Sequence, residues 1–190
     1  NNTLLPTVFE SLEADYFHLT KNVQLWDVCA QRVIEVKGSK SVALIQYLFC
    51  RDFSVISSNK AYYAPIVNFE GGLLNDPVVF CISNNHFLIS ISDSDLFNWV
   101  SAINNSKEFF SDVRETDIFT MAIQGPKSEK LTQKIFGEEI ESLKYFNFTK
   151  YLFNKEEIII SKTGYSKQTG YEIMITNPNN AIMLWDQIME

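Results

Sequence analysis

Asp76 is the first candidate for chemistry, because it follows a pair of glycines and a pair of leucines and precedes Pro77. Glycines such as Gly71 and Gly72 let the backbone turn tightly or approach a ligand closely. A carboxylate at this point is expected to be partly desolvated, and such groups often do acid–base or electrostatic work. The alternative is a hairpin turn in which Asn75, Asp76 and Pro77 satisfy local backbone groups. The residues alone favour the hairpin turn.

Glu172 is the second candidate, and it follows a polar loop, residues 163–170, that contains two glycines. It lies between Tyr171 and Ile173 in a predicted strand, so alternation places it on the face opposite both. If those neighbours point into a core, Glu172 is solvated. If Tyr171 is exposed instead, Glu172 points inward and needs a partner. A pterin or guanidinium-like heterocycle would supply one, because its adjacent N–H donors form a fork that matches a carboxylate.

Other kinds of catalytic centre have little support in the sequence. The three cysteines, Cys29, Cys50 and Cys81, are odd in number and far apart, which argues against a zinc site or a disulfide framework. We expect each to be a small buried apolar residue in a reducing cytosol. His18 and His86 are the only histidines, so a multi-histidine metal site is excluded. The serines have no base at catalytic spacing.

The composition places the chain among ordinary globular proteins. Of its 190 residues 46% are hydrophobic and 21% are charged, which excludes a disordered tail, a collagen-like fibre and a disulfide scaffold. The formal net charge of −7 argues against non-specific nucleic-acid binding, which needs a surplus of Lys and Arg. No apolar run approaches the roughly 18 residues that span a bilayer. We therefore expect a soluble, cytoplasmic protein with no nucleic-acid or membrane partner.

Hydrophobic periodicity predicts helices and short strands that alternate along the chain. The predicted helices are residues 6–20, 41–49, 96–103, 129–136 and 180–189, and the predicted strands are 33–36, 62–69, 73–82, 86–92, 109–113, 120–124, 158–161 and 171–175. Asp93, Ser94 and Asp95 are expected to cap the third helix, since short polar side chains accept hydrogen bonds from its first amides. Trp26, Trp99 and Trp185 are expected in the core. Several strand pairs are joined by short turns, which favours a mixed α+β fold over a doubly wound parallel sheet.

Three motifs occur in order along the chain. They are Tyr62-Tyr63-Ala64-Pro65 followed by Gly71-Gly72-Leu73-Leu74-Asn75-Asp76, then Gln124-Gly125-Pro126-Lys127-Ser128, and then Thr163-Gly164-Tyr165 followed by Gly170-Tyr171-Glu172-Ile173. Together they resemble the aminomethyltransferase family, which comprises the folate-binding T-protein of glycine cleavage and its relatives. The second motif looks structural within that family.

Within the family the chain is most similar to the dimethylsulfoniopropionate (DMSP) demethylase branch. The similarity rests on Leu4-Leu5-Pro6-Thr7, Ser11-Leu12-Glu13, residues 23–28, residues 62–67, Asn75-Asp76-Pro77 and Asp93-Ser94-Asp95. The glycine-cleavage branch usually carries Asp-Val-Ser-His-Met where this chain has residues 27–31. However, Tyr165 resembles the glycine-cleavage branch, and Met174 stands where the demethylase tends to have tyrosine. A T-protein aminomethyltransferase and a non-catalytic folate-binding relative therefore stay as alternatives.

The resemblance implies an enzyme that uses tetrahydrofolate as the acceptor of a methyl group. Asp76 matches the family's key aspartate near N5 of tetrahydrofolate and would be catalytic. Tyr63 and Tyr165 match tyrosines that line the folate site, and Glu172 matches the glutamate that grips the pterin. The methyl group would pass from a sulfonium sulfur to N5, and because a sulfonium is a good leaving group, the enzyme chiefly has to align donor and acceptor. No metal is expected.

The resemblance also implies an architecture, namely an α+β, folate-binding aminomethyltransferase-like fold of mainly antiparallel sheets with flanking helices. Residues 1–31 and 116–190 would form a discontinuous folate-binding domain, and residues 32–115 a smaller inserted α+β domain. Family members are longer than this chain, so it is expected to correspond to the N-terminal part and to lack the C-terminal β-barrel domain. The expected partner is a small-molecule methyl donor, and a homodimer is compatible with the family. A lipoyl carrier protein is a partner only under the T-protein alternative.

Overall fold

The computed structural model describes residues 4–92 and 94–190 and divides the chain into two compact units. Unit 1 consists of Ala30–Asp117. Unit 2 consists of the described residues before Ala30 together with Ile118–Glu190. The chain therefore enters unit 2, passes through unit 1 and returns to complete unit 2.

Helices and strands alternate in both units. The α-helices are α1 Leu12–Lys21, α2 Ser41–Leu48, α3 Leu96–Ser106, α4 Ser128–Phe136 and α5 Pro178–Met189, and a 3₁₀ helix spans Glu138–Ser142. The strands are β1 Gln24–Asp27, β2 Val33–Lys37, β3 Lys60–Tyr63, β4 Ile66–Val67, β5 Leu73–Asn75, β6 Val78–Ser83, β7 His86–Ser90, β8 Asp112–Thr116, β9 Phe119–Gln124, β10 Phe148–Phe153, β11 Glu156–Ser161 and β12 Gly170–Ile175. Within the described ranges, no helix is both long and apolar enough to cross a membrane.

Unit 2 is built on a five-stranded sheet in the order β1-β9-β12-β11-β10. One face of this sheet carries Ile123, Tyr171 and Ile173, all fully buried, in a core that also contains residues of α4 and α5. Because successive side chains alternate between faces, the residues between them belong to the opposite face. That opposite face carries the polar residues described below.

Unit 1 is built on a second five-stranded sheet, in the order β3-β6-β7-β2-β8. Its core contains apolar residues of β2, β6 and β7 together with buried positions of α2 and α3. A separate two-stranded pair, β4 with β5, carries the turn around Gly71 and Gly72. Every strand pairing in the described part of the chain is antiparallel, so the predicted α+β class with mainly antiparallel sheets is confirmed.

The first helix begins later than the sequence predicts. Ser11 is its cap and accepts a hydrogen bond from the amide of Ala14 at 3.0 Å. The side chain of Asp15 accepts a hydrogen bond from the amide of Phe9 at 2.8 Å, which holds the preceding segment outside the helix. No residue of α1 is buried, so its apolar positions do not face a core in this structure.

Other boundaries also differ from the prediction. The strands expected at 62–69 and 73–82 are each interrupted, the first forming β3 and β4 and the second β5 and β6. The strand expected at 109–113 is found at Asp112–Thr116, because Glu108 and Phe110 have positive φ angles, which an extended strand does not allow. At the third helix, Asp95 occupies the cap position but makes no side-chain capping hydrogen bond, so the predicted cap is wrong there. Asp93, the first residue of that predicted cap, lies outside the described residues.

Candidate functional site

Glu172 lies on the face of the unit 2 sheet opposite the apolar core. The strand register aligns Trp26 of β1 with Ala122 of β9, and Ala122 with Glu172 of β12. Tyr171 and Ile173 are fully buried, yet the exposed fraction of Glu172 is only 8%. Neither sequence alternative is therefore correct, because β12 is covered on both faces and the acid is buried without its neighbours being exposed.

The buried carboxyl of Glu172 has few partners. The hydroxyl of Thr163 donates a hydrogen bond to its Oε2, and the hydroxyls of Thr163 and Ser161 are 2.7 Å apart. Burial raises the pKa of Glu172, and the hydrogen bond from Thr163 only partly opposes this. Within the described residues no ion pair is formed by Glu172. A carboxyl group in this condition has acceptor capacity left for a ligand that brings its own N–H donors.

Two aromatic rings belong to the same region of unit 2. Tyr165, on the loop 163–170, is 68% exposed, and its ring centroid lies 5.7 Å from that of Trp26, with the planes 55° apart. Trp26 Nε1 donates to Gln24 Oε1 at 2.9 Å, which fixes the indole on β1. Trp26 is half-buried, so its predicted place in the core is wrong. Residues 24–27, Gln-Leu-Trp-Asp, do not alternate between polar and apolar, so periodicity gives no signal for β1 or for this face.

The Gln124-Gly125-Pro126 motif lies at the end of β9, beside the loop 163–170. The amide of Gly125 donates to the carbonyl of Thr169 at 2.9 Å. A side chain on Gly125 would place its Cβ 2.3 Å from the carbonyl oxygen of Asn22, so only glycine fits. Gln124 itself is 1% exposed. The motif therefore packs the end of β9 against the segment at Asn22 and the loop at Thr169.

Asp76 belongs to unit 1 and is exposed, so the expected partial desolvation is wrong. The hydroxyl of Ser92 donates to its Oδ1 at 3.0 Å. Tyr63 is 46% exposed and pairs with Val78, two residues beyond Asp76. The amide of Ala64 also donates to the carbonyl of Pro77 at 3.0 Å. These backbone contacts bring Tyr63 and Asp76 to the same end of the β3–β6 pair.

Asn68 satisfies the turn of this hairpin, and Asn75 bonds to the distant backbone of Ser92. Asn75 is 5% exposed, and its Nδ2 donates to the carbonyl of Ser92 at 3.0 Å while its Oδ1 accepts from the amide of Ser92 at 3.2 Å. Asn68 Oδ1 accepts from the amides of Glu70 and Gly72 at 3.0 and 2.8 Å. The hairpin is therefore present, but Asn68 satisfies its turn, and the prediction that Asn75, Asp76 and Pro77 do so is wrong.

The three cysteines differ in their exposure. Cys81 is buried as expected, whereas Cys29 and Cys50 are exposed, so the prediction is wrong for two of the three. The Sγ of Cys29 lies 3.6 Å from the carbonyl of Thr120, and desolvation together with Asp27 raises its pKa to about 12, which makes it a poor nucleophile. Across 4–92 and 94–190, no group of three or more His, Cys, Asp or Glu residues could hold a metal ion.

The family is shown by sequence comparison. The chain matches the model of the GCVT N-terminal domain over residues 3–190, and it therefore belongs to that family. It is 34% identical over 188 residues to the dimethylsulfoniopropionate demethylase DmdA of Ruegeria pomeroyi, covering 99% of this chain and 52% of that protein. It is 30% identical over 190 residues to the aminomethyltransferase of Thermotoga maritima, covering 97% of this chain and 51% of that protein. The chain thus spans about half the length of these relatives.

Structural comparison agrees with the family. The crystal structure of the glycine cleavage system aminomethyltransferase T from Bartonella henselae matches with a TM-score of 0.83 at 18% identity, covering 93% of this chain and 48% of that one. A heterotetrameric sarcosine oxidase from a Corynebacterium species matches with a TM-score of 0.56 at 11% identity, covering 86% and 82%. At these identities the likeness concerns the fold alone. The predicted aminomethyltransferase-like fold is confirmed.

Proposed function

We propose that this chain is the N-terminal part of a tetrahydrofolate-dependent methyltransferase that takes its methyl group from a sulfonium compound similar to DMSP. The observation that carries the proposal is the buried carboxyl of Glu172, which has a single side-chain donor, Thr163, and no ion pair among the described residues. A buried carboxyl without such a partner is costly unless a ligand completes its hydrogen bonds. Unit 2 would then be the folate-binding domain and unit 1 the inserted α+β domain.

Tetrahydrofolate fits the chemistry of the residues on unit 2. The pterin edge offers adjacent N–H donors, and two parallel hydrogen bonds to one carboxylate form a strong, directional pair. Glu172 would hold that edge. The rings of Trp26 and Tyr165 lie in the same region and offer apolar surface to the flat heterocycle. When bound, tetrahydrofolate supplies the nucleophilic N5 that accepts the methyl group.

Asp76 and Tyr63 are proposed to act at the reacting end of the folate. Asp76 is exposed and its carboxylate bonds to the Ser92 hydroxyl rather than to the turn, so it is available to orient or electrostatically support the reacting groups. Asn75 would hold the segment that carries it. Because the sulfonium already leaves readily, alignment of donor and acceptor is the main catalytic demand. A negatively charged carboxylate and the faces of aromatic rings also suit a cationic donor.

The sulfonium donor is favoured by the 34% identity to the Ruegeria protein, compared with 28–30% to aminomethyltransferases of other bacteria. The alternative is an aminomethyltransferase that acts on a lipoyl-bound aminomethyl group. It is supported by those aminomethyltransferases and by Tyr165, which resembles the glycine-cleavage branch. The partner would then be a lipoyl carrier protein instead of a small-molecule donor alone. A cytoplasmic location and a homodimer are part of the proposal.

The test uses the protein in its full natural length. It is incubated with tetrahydrofolate and, in separate reactions, with DMSP, with an aminomethyl-loaded lipoyl carrier protein and with glycine betaine. Formation of 5-methyltetrahydrofolate from DMSP supports the proposal, whereas 5,10-methylenetetrahydrofolate from the loaded carrier supports the alternative. Calorimetry with tetrahydrofolate alone is run in parallel. Absence of binding there would overturn both enzyme assignments.

A further inference from the structure

The side chain of Gln124 is enclosed by the loop 163–170. Gln124 is 1% exposed at the end of β9. Its Nε2 donates a hydrogen bond to the backbone carbonyl of Thr163 at 3.3 Å, and its Oε1 accepts one from the hydroxyl of Ser166 at 2.6 Å. The Ser166 hydroxyl in turn accepts a hydrogen bond from the amide of Gln168 at 3.1 Å. One carboxamide is therefore bonded on both sides of Tyr165.

The loop also fits closely around this carboxamide. A Cβ built on Gly164 would lie 2.4 Å from Oε1 of Gln124, and a Cβ on Gly170 would lie 2.3 Å from its Nε2. Both distances are far below van der Waals contact, so the absence of side chains at these two positions gives the carboxamide its space. The two glycines that bracket the loop are thus matched to the side chain they surround.

Gln124 is connected to the buried acid through a single residue. Thr163 accepts a hydrogen bond from Gln124 with its backbone carbonyl, and its hydroxyl donates to the carboxylate of Glu172. A displacement of Thr163 would therefore change the only side-chain donor that Glu172 has among the described residues. The same displacement would move Tyr165, two residues further along the loop, relative to Trp26.

We propose that Gln124 is a positioning residue for the ligand site of unit 2, because its carboxamide fixes the loop that carries Tyr165 and the donor to Glu172. The ligand consequence rests on the proposed function, whereas the effect on the loop does not. Only a neutral side chain with one donor and one acceptor at this length satisfies both bonds. A glutamate lacks the donor for the Thr163 carbonyl, and a methionine of similar length lacks both hydrogen-bonding groups.

The experiment compares full-length wild-type protein with Gln124→Met and Gln124→Glu. The matched control is Gln133→Met, because Gln133 lies in α4 of the same unit and, among the described residues, its side chain bonds only to exposed Glu141. Hydrogen exchange of the backbone amides of residues 164–169 is measured without ligand. The kcat and KM for tetrahydrofolate are measured with the donor that the wild-type protein accepts.

Both Gln124 variants are expected to exchange faster in the loop by about tenfold or more, while the control exchanges at the wild-type rate. The KM for tetrahydrofolate is expected to rise by about tenfold, with a smaller change in kcat at saturating folate, because a loosely held loop weakens binding before it affects the methyl transfer. Wild-type exchange and wild-type KM in Gln124→Met would overturn the proposal.

Two further arms separate this proposal from its alternatives. If Gln124→Met does not fold, Ser166→Ala is used instead, because it removes the hydrogen bond from the Ser166 hydroxyl to Oε1 of Gln124. Exchange of the loop amides at the wild-type rate in that variant counts against the proposal. If the wild-type protein binds no tetrahydrofolate, the proposed function fails, and the ligand-free exchange experiment alone decides whether Gln124 fixes the loop.

Discussion

Thr163 donates its hydroxyl hydrogen to the buried carboxylate of Glu172, nine residues further along the chain. The bond joins the start of the loop 163–170 to the strand that follows it. Because this donor is neutral and the acid is buried, the pKa of Glu172 is raised by desolvation. In the ligand-free protein the desolvated carboxyl of Glu172 is destabilising and still has acceptor capacity. A ligand with paired N–H donors would relieve both conditions.

Replacing Glu172 with glutamine is expected to weaken tetrahydrofolate binding. The variant keeps one acceptor oxygen but loses the charge, so the binding free energy should fall by about 1.5–3 kcal/mol, the range for a hydrogen bond to a charged group. Isothermal titration calorimetry on the full-length protein measures this. Glu157→Gln is the control, because Glu157 is exposed on β11 and pairs with Lys150. Equal affinities for both variants would contradict the assigned role of Glu172.

The same substitution is expected to stabilise the free protein at neutral and alkaline pH. The pKa of Glu172 is raised in the folded state. The contribution of this carboxyl to the free energy of unfolding is therefore fully present below the unfolded pKa, about 4.3, and is lost as pH rises through the folded pKa. Glu172→Gln removes that loss. Urea unfolding without ligand should give a higher midpoint for the variant at pH 8, and the difference should shrink toward pH 4. A lower midpoint at pH 8 would contradict the sign.

Asp76→Asn is expected to abolish most turnover while leaving folding intact. The side chain is exposed and its hydrogen bond is to the hydroxyl of Ser92, so the backbone of the hairpin does not depend on it. A loss of about 10²–10⁴-fold in kcat is the range for removing a group that assists the reacting atoms. Steady-state kinetics and the thermal midpoint are measured together. Glu70→Gln, an exposed acid on the neighbouring turn, is the control and should keep wild-type turnover.

Gly125→Ala is expected to destabilise the protein more than Gly137→Ala. Both glycines have positive φ, 124° and 92°, so both variants carry the backbone cost of about 1–2 kcal/mol. Only at Gly125 would the new Cβ meet a backbone atom, the carbonyl oxygen of Asn22 at 2.3 Å, whereas nothing lies within 4 Å at Gly137. Overpacking should add about 1–3 kcal/mol. Equal free energies of unfolding in denaturant titrations would refute the close approach.

Glu156 is expected to stabilise unit 2 in a pH-dependent way. Burial alone would raise its pKa, but donors from Thr176, Asn177 and Asn180 outweigh burial and lower it. A carboxyl whose pKa is lowered on folding contributes stability above its unfolded pKa and loses it as pH falls through the folded pKa. Glu156→Gln should therefore lower the free energy of unfolding at pH 7 by about 1–3 kcal/mol. The difference from wild type should disappear in acid, as followed by urea titrations at several pH values.

The periodicity of the sequence predicts most of the elements because helix and strand repeats depend on local geometry. The strand at 120–124 and the helix at 129–136 are found at Phe119–Gln124 and Ser128–Phe136. The periodicity does not predict β1 or β10, Phe148–Phe153, and it places β8 too early. At β8 the positive φ of Phe110 ends the possibility of an extended strand, and a sequence pattern does not reveal the backbone angle of a phenylalanine.

The sequence by itself determined the family, through the order of motifs that surround Asp76 and Glu172, and the α+β class, through short turns between alternating segments. The mainly antiparallel sheets followed from the family resemblance. The tertiary structure decided which of these residues are buried and what lies beside them. Alternation predicts which side chains share a face of a strand, but not what covers that face. Glu172 lies beside Ala122, which in turn lies beside Trp26, because β1, β9 and β12 are distant in sequence but align in one sheet. Asp76 is exposed, whereas Asn75 beside it is buried and bonds to the backbone of Ser92, a contact between segments that are distant in sequence.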